Sequence, residues 1–305
     1  MLSLGERVQI SFVSVGVGGF MRKGAIAVPA LLLASLSFAG AAFGAAGETS
    51  GDATTPVSTL DLSFELYAGG IRLGHAGISA RVQGTDYKAI STLETRGLVN
   101  AFWQSKIETS SSGELTATRV QPSLYDSFSQ YRANQRRHVT LTFGPEGPKV
   151  VSDPPYPENR AVISEAQKKE ALDPLSAVMY LIGSHSNEAK PCEATAPIFD
   201  GRRRYDVSFD FVRKARINMD NGLYDGPGYV CRVHYNQVAG YQQTLVQQGK
   251  KLPTIFAWVA PVKSADHPSL TYMLPLRIWA ETEYGIVVAL ASQVKLDGGP
   301  LPKQN

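Results

Sequence analysis

The sequence predicts a mainly β protein: an antiparallel barrel, half-barrel or spiral β-roll with one central helix packed on or in the sheet. Three observations carry this. Apolar and polar residues alternate with period two through most of residues 60–296, a single segment around Leu175 switches to a helical period, and no break in composition separates two domains.

Leu60, Leu62, Phe64 and Leu66 face one way while Asp61, Ser63 and Glu65 face the other, as in a half-buried antiparallel strand. The next run changes phase, because Ile71 and Leu73 share a parity that Ala76, Ile78, Ala80 and Val82 do not. A β-bulge at Gly74-His75 restores one apolar face. Val139, Leu141 and Phe143 alternate with His138, Thr140 and Thr142. Tyr205, Val207, Phe209 and Phe211 do the same against Arg204, Asp206, Ser208 and Asp210. Toward the C-terminus, Leu270, Tyr272, Leu274, Leu276 and Ile278 form a long apolar face, followed by Ile286, Val288, Leu290 and Val294. Pro275 cannot donate to a ladder, which places its strand at an edge or at a second bulge. About ten to twelve strands are expected.

Residues 144–157 hold five prolines and two glycines, the composition of an extended loop without regular structure. Residues 164–170 have short helix propensity, and Asp173-Pro174 is an N-cap followed by proline at the first helical position. Leu175, Val178, Met179 and Ile182 then form one apolar stripe to lay against a sheet, and Gly183 ends it.

Met21-Arg22-Lys23, the apolar run 25–38 and the small-x-small site Ala42-Phe43-Gly44 read as a secretory signal peptide. Translation is expected to start at Met21, with residues 1–44 as the leader. A retained signal anchor is the alternative, against which the run is short and alanine-rich for a membrane span. Residues 45–59 are then a flexible mature N-terminus, 60–296 one β-rich domain and 297–305 a disordered tail. Arg7, Arg22, Lys23 and Glu6 leave with the leader, so the 261 remaining residues carry 27 basic against 26 acidic side chains. This near-neutral balance lacks the basic footprint that wrapping nucleic acid requires.

Cys192 and Cys231 are the only cysteines. In the oxidising periplasm to which the leader points, an isolated pair reads as one disulfide; two buried thiols would need a reducing compartment. Neither cysteine lies at the end of the leader, so no lipid-modified N-terminus is expected and membrane association is at most peripheral.

Catalytic signatures are missing from the sequence. His75, His138, His185, His234 and His267 form no spaced ligand pair, and there is neither a G-x-S-x-G elbow nor a P-loop. No metal, cofactor or catalytic residue is assigned, and Glu281 and Glu283 read as a strand rim rather than a glycosidase pair. Two features suggest binding. Arg202, Arg203 and Arg204 form a candidate anion or partner surface, unless they pair with Asp200, Asp206 and Asp210 across neighbouring strands. Among the aromatics, Trp103, Tyr125, Phe256, Trp258 and Tyr272 are candidates to line an apolar cavity between sheet and helix, the alternative being plain core. Residues 255–259 are apolar on both parities, as in a strand covered on both faces.

Five segments together resemble domain-of-unknown-function family 3108. They are Glu65-Leu66-Tyr67-Ala68-Gly69-Gly70-Ile71, Leu172-Asp173-Pro174-Leu175-Ser176-Ala177, the run 200–206, Cys231 with Ala239-Gly240-Tyr241, and Pro275-Leu276-Arg277-Ile278. The likeness spans residues 60–296 and implies an exported proteobacterial envelope protein without transferable catalytic residues. Leader, size and layout are also similar to envelope-integrity β-spiral proteins and to periplasmic lipoprotein carriers, a likeness of fold only. The expectation is a non-enzymatic periplasmic protein that supports envelope maintenance by binding a hydrophobic or envelope-derived ligand, such as a lipid, or an envelope protein. A scaffold without a ligand cavity, or an enzyme of unrecognised type, is the alternative.

Overall fold

The computed structural model describes residues 57–97, 104–116, 118–131, 135–156, 162–184, 190–241, 253–266, 271–282 and 285–301. The leader expected at 1–44 and residues 45–56 of the flexible N-terminus expected at 45–59 lie outside the described residues, while residues 57–59 are already strand, with Ser58 buried. Seven strands come first: β1 (Val57–Ala68), β2 (Ile71–Gln83), β3 (Asp86–Thr95), β4 (Ser105–Leu115), β5 (Val120–Tyr131), β6 (Arg136–Gly144) and β7 (Gly147–Asp153). Two short helices follow, α1 (Glu165–Lys169) and α2 (Pro174–Met179). The second half holds β8 (Ala194–Phe199), β9 (Arg204–Asn218), β10 (Asp225–Ala239), β11 (Ile255–Lys263), β12 (Thr271–Thr282), β13 (Gly285–Leu296) and β14 (Gly299–Pro300).

One antiparallel sheet runs β7-β6-β5-β4-β3-β2-β1-β13-β12-β11-β10-β9-β8, with β14 added to β13. Nearly every strand pairs with its neighbour in sequence, so the sheet is built from hairpins. The exception is β1 with β13, which joins the two halves of the chain. Fourteen strands exceed the ten to twelve expected, and the sheet is open: β7 and β8 end it and form no ladder with each other. The free edge of β8 is partly occupied, since Leu172 N–H donates to Pro197 O and Leu172 O accepts from Phe199 N–H. Pro197 has no N–H with which to extend a ladder.

The ends of the sheet nevertheless come close. A methyl group at Gly201, between β8 and β9, would lie 2.7 Å from Val139 Cγ1 of β6, and only glycine fits this contact at φ +87°. The central helix is minor. Asp173 caps α2 by accepting from the Leu175 and Ser176 N–H groups, and a π-helical turn, Tyr180–Ser184, continues it. Leu175, Met179 and Ile182 of the expected stripe are buried in the main core, with Val178 packed against it. Ser164 and Gln167 form a capping box on α1.

Leu60, Leu62 and Phe64 are buried with Val139, Leu141, Tyr272, Leu274 and Leu276 in this core. A second cluster surrounds the Cys192–Cys231 disulfide with Ala257, Val259 and Met273. Ala177, Ala196, Ile198 and Tyr205 form a third under α2. Strands β11 and β12 therefore bury residues on both faces, Ala260 and Leu274 into the main core and Val259 and Met273 around the disulfide.

Both expected ladder irregularities occur. Leu66 faces Gly74 and Tyr67 faces Arg72, so the extra residue in β2 is Leu73, one position before the dipeptide expected to bulge. A Cβ at Gly74 would stand 2.2 Å from Glu94 O, which is why glycine follows the bulge. Trp258 faces Arg277 and Val259 faces Pro275, leaving Leu276 as the extra residue beside the proline.

Two expectations fail. Residues 144–157 are not simply a loop: Gly144 pairs with Gly147 across a tight turn, and β7 continues to Asp153. Proline is tolerated because β7 is an edge strand. Nor is 297–305 simply a tail, since β14 pairs with β13 and Leu301 is buried; residues 302–305 lie outside the described residues.

Candidate functional site

The arginine run is buried instead of lying on the surface, each of Arg202, Arg203 and Arg204 being less than a tenth exposed. Asp200 organises the turn: one carboxylate oxygen accepts from the Arg202 and Arg203 backbone N–H groups, at 3.0 and 2.6 Å. The other accepts from Arg203 Nε at 2.8 Å and pairs with its Nη2 at 2.7 Å. Burial works against the Arg203 charge, but Asp200 more than restores it. Arg204 Nη1 donates to Asp206 at 2.6 Å, and its Nε donates to Gln167 O beside α1. Arg202 and Arg137 of β6 share the Tyr156 ring, at 5.1 and 4.4 Å from its centroid. Asp210 pairs with His234 at 2.6 Å. The run thus stitches the two ends of the sheet together.

A polar network that only the fold assembles lies at the start of α2. Asp173 is fully buried and, beyond its capping bonds, accepts from the hydroxyls of Ser176 and Ser111. Tyr87 O–H bonds to Ser176 at 2.5 Å and to Ser111 at 3.2 Å. Burial raises the Asp173 carboxyl despite these donors and pushes the Tyr87 hydroxyl up to about 12. Asp173-Pro174 was legible as a cap, but its serine partner on β4 had no sequence signal. With each Asp173 oxygen satisfied by protein donors, the network anchors α2 to β3 and β4.

The described histidines sit in cross-strand pairs with carboxylates: His138 with Asp126 at 2.7 Å, His234 with Asp210, and His75 with Glu65 at 3.5 Å. His185 and His267 lie outside the described residues. Among the described residues, no group of three or more His, Cys, Asp or Glu side chains is placed to hold a metal ion.

The five aromatics expected to line one cavity do not converge. Trp103 lies outside the described residues, while Tyr125 and Tyr272 are buried in the main core. Phe256 and Trp258 share the face of β11 opposite Ala257, half-buried beside Trp279 of β12, and Trp258 packs against the main core. Phe256 stacks on Trp279 with centroids 5.7 Å apart, and Trp258 meets Trp279 edge-on at 5.8 Å. Arg277 lies 5.1 Å from each indole centroid, and Arg232 of β10 lies 5.9 Å from Phe256. Strand register aligns one continuous rung: Asp210, Arg232, Phe256, Trp279, Val288, Tyr67 and Arg72. Neither Arg232 nor Arg277 has a carboxylate partner among the described residues, and Arg277 Nε is buried without a hydrogen bond. Arg232 and Arg277 were missed from the sequence. Their signal was Arg277-x-Trp279 opposite Phe256-x-Trp258 on adjacent strands.

Two open grooves of about 360 and 310 Å³ lie on the sheet surface. Fold and site together define a mainly β protein with a large open antiparallel sheet, a short helix and an aromatic–guanidinium surface. The chain belongs to the family described as protein of unknown function DUF3108, whose profile matches residues 63–292. No curated protein matches its sequence. The chain is similar to the crystal structure of a beta-barrel-like protein of domain of unknown function DUF1849 from Brucella abortus. That likeness has 11% identity and a TM-score of 0.49, and covers 82% of this chain and 98% of the other.

Proposed function

We propose that this chain is a non-enzymatic periplasmic protein that supports envelope maintenance by holding a protein partner against the aromatic–guanidinium face of β10–β12. The observation that carries this reading is the packing of Phe256, Trp258, Trp279, Arg232 and Arg277. Tryptophan, tyrosine and arginine dominate the energetics of protein interfaces. Two guanidinium groups without carboxylates among the described residues suit a partner that offers acidic side chains amid apolar ones. The leader supports export, and the Cys192–Cys231 bond suits an oxidising compartment. A carrier of enclosed lipid is less favoured, because Tyr125 and Tyr272 fill the core and Trp258 packs half-buried against it.

The test places a photo-crosslinking side chain at Val288, on the rung beside Trp279, in cells expressing the leader-bearing chain. A discrete envelope-protein adduct in the periplasmic fraction is expected, and it should vanish in Arg277→Glu without a change in thermal stability. Adducts no different from those at Leu124, an exposed position on β5, would remove the basis for the proposal.

A further inference from the structure

We infer that the free edge of β9 is a second interaction surface, one that docks on an anionic phospholipid bilayer. Strand β8 pairs only with the Arg204 to Phe209 part of β9, so among the described residues the rest of β9 has no strand beside it on that side. From Asp210 to Lys214 every residue is exposed, including Phe211 at 44% and Val212 at 40%. Most exposed edges carry charge instead of large apolar side chains. Here Phe211 meets Tyr229 of β10 edge-on, with centroids 6.3 Å apart. Beside them, Lys214, Arg216, Pro227 and Tyr229 line the groove of about 360 Å³.

The charge of this edge is one-sided. Arg213, Lys214 and Arg216 follow one another on the strand, and of these Arg216 pairs with Asp225 at 2.9 Å. Arg213 and Lys214 have no carboxylate partner among the described residues. Asp210 is held by His234. Cations interleaved with exposed Phe211 and Val212, beside half-buried Tyr229, match the headgroup layer of an anionic bilayer, where phosphates meet the guanidinium and ammonium groups while the apolar side chains reach the acyl boundary. Being exposed on both faces, the edge can enter that layer end-on, as a flat sheet face cannot. This surface is argued from its own chemistry and stands whether or not the aromatic face has a partner.

The test is co-sedimentation of the purified protein with vesicles of phosphatidylcholine alone or mixed with phosphatidylglycerol, at low and high salt. Binding is expected to the mixed vesicles only and to weaken as salt rises. Each cation near such a surface contributes roughly fivefold, so Arg213→Gln with Lys214→Gln should weaken binding about thirtyfold. Phe211→Ser with Val212→Ser should weaken it while leaving the salt dependence in place. Lys88→Gln with Lys149→Gln, remote from the edge, should change little. Equal loss in the remote variant would overturn the inference by reducing it to bulk charge. Full competition by inorganic phosphate would overturn it in favour of a small-anion site, and absence of binding to mixed vesicles would overturn it outright. Capture of an acidic envelope protein through Arg213 and Lys214, with no vesicle binding, would do the same.

Discussion

Replacing Asp297 should unfasten the start of β1 from the segment after β11, although it lies in a stretch that sequence assigns to a tail. Its Oδ1 accepts from Ser58 Oγ at 2.8 Å and Thr59 N–H at 3.1 Å, at the start of β1. Its Oδ2 accepts from Ser264 Oγ and Ala265 N–H, both at 2.8 Å, and from Asp266 N–H at 3.3 Å, just after β11. The site is partly solvated, so each bond contributes about 0.5–1 kcal/mol instead of the larger value for a buried ion. Asp297→Ala is therefore expected to cost about 3 kcal/mol. Asp297→Asn, which keeps one acceptor for Ser58 and Thr59 but turns an NH₂ toward Ala265 and Asp266, should cost about 2 kcal/mol. Urea titrations followed by tryptophan fluorescence read these differences. Burial pushes the Asp297 carboxyl up, but the Ser58, Ser264, Asp266 and Thr59 donors outweigh it and hold it below its ordinary 3.8. Its folded value is thus depressed, so its stabilisation is fully present above about pH 4 and fades as pH falls through the folded value. The gap between wild type and Asp297→Ala should be constant from neutral pH to about pH 5 and narrow as the solution is acidified below the ordinary carboxylate range. A cost below about 0.5 kcal/mol at neutral pH, or a gap unchanged in acid, would refute this reasoning.

The Cys192–Cys231 bond closes a sequence separation of 39 residues, for which chain entropy alone predicts a loss of about 4 kcal/mol in Cys192→Ser. Thermal denaturation of that variant measures the loss, and Cys231 should then react with a thiol reagent once the chain unfolds. Asp173→Ala removes an acceptor shared by two backbone N–H groups and two hydroxyls in a fully buried place, at an expected cost of about 3–5 kcal/mol. Chemical denaturation checks it, and a cost near that of an exposed cap, about 1 kcal/mol, would show the network to be dispensable.

Much of this architecture was legible because it is local. The alternation at Leu60, Leu62 and Phe64 follows from the two-residue period of a strand, and the buried side of β1 is the one it indicates. The Asp173-Pro174 cap carries its own chemistry, and α2 begins there. The change of parity along β2 places its bulge to within one residue, because a bulge must reconcile parities written in the sequence. The candidate sites were less legible. Arginines 202–204 look like a solvent-facing cluster, yet they are buried because the far edge of the sheet returns to cover them. Phe211 sits on the apolar parity of β9 but is exposed, and the β8 ladder ends with Ala194 opposite Phe209, two residues short of it. Prolines in residues 144–157 suggested a loop, whereas an edge strand needs no donor on its open side.

The sequence by itself determined the alternating faces of β1, β6 and β12, the helix start and the pair of cysteines available to each other. Each depends on backbone period or on residue type, which neighbours along the chain suffice to express. Only the tertiary structure decided that the sheet stays open, that Asp297 ties β1 to the loop after β11, and that Phe256, Trp258 and Trp279 gather half-buried with Arg232 and Arg277. These depend on register between strands distant in sequence, where a shift of one residue would turn every one of those side chains to the other face.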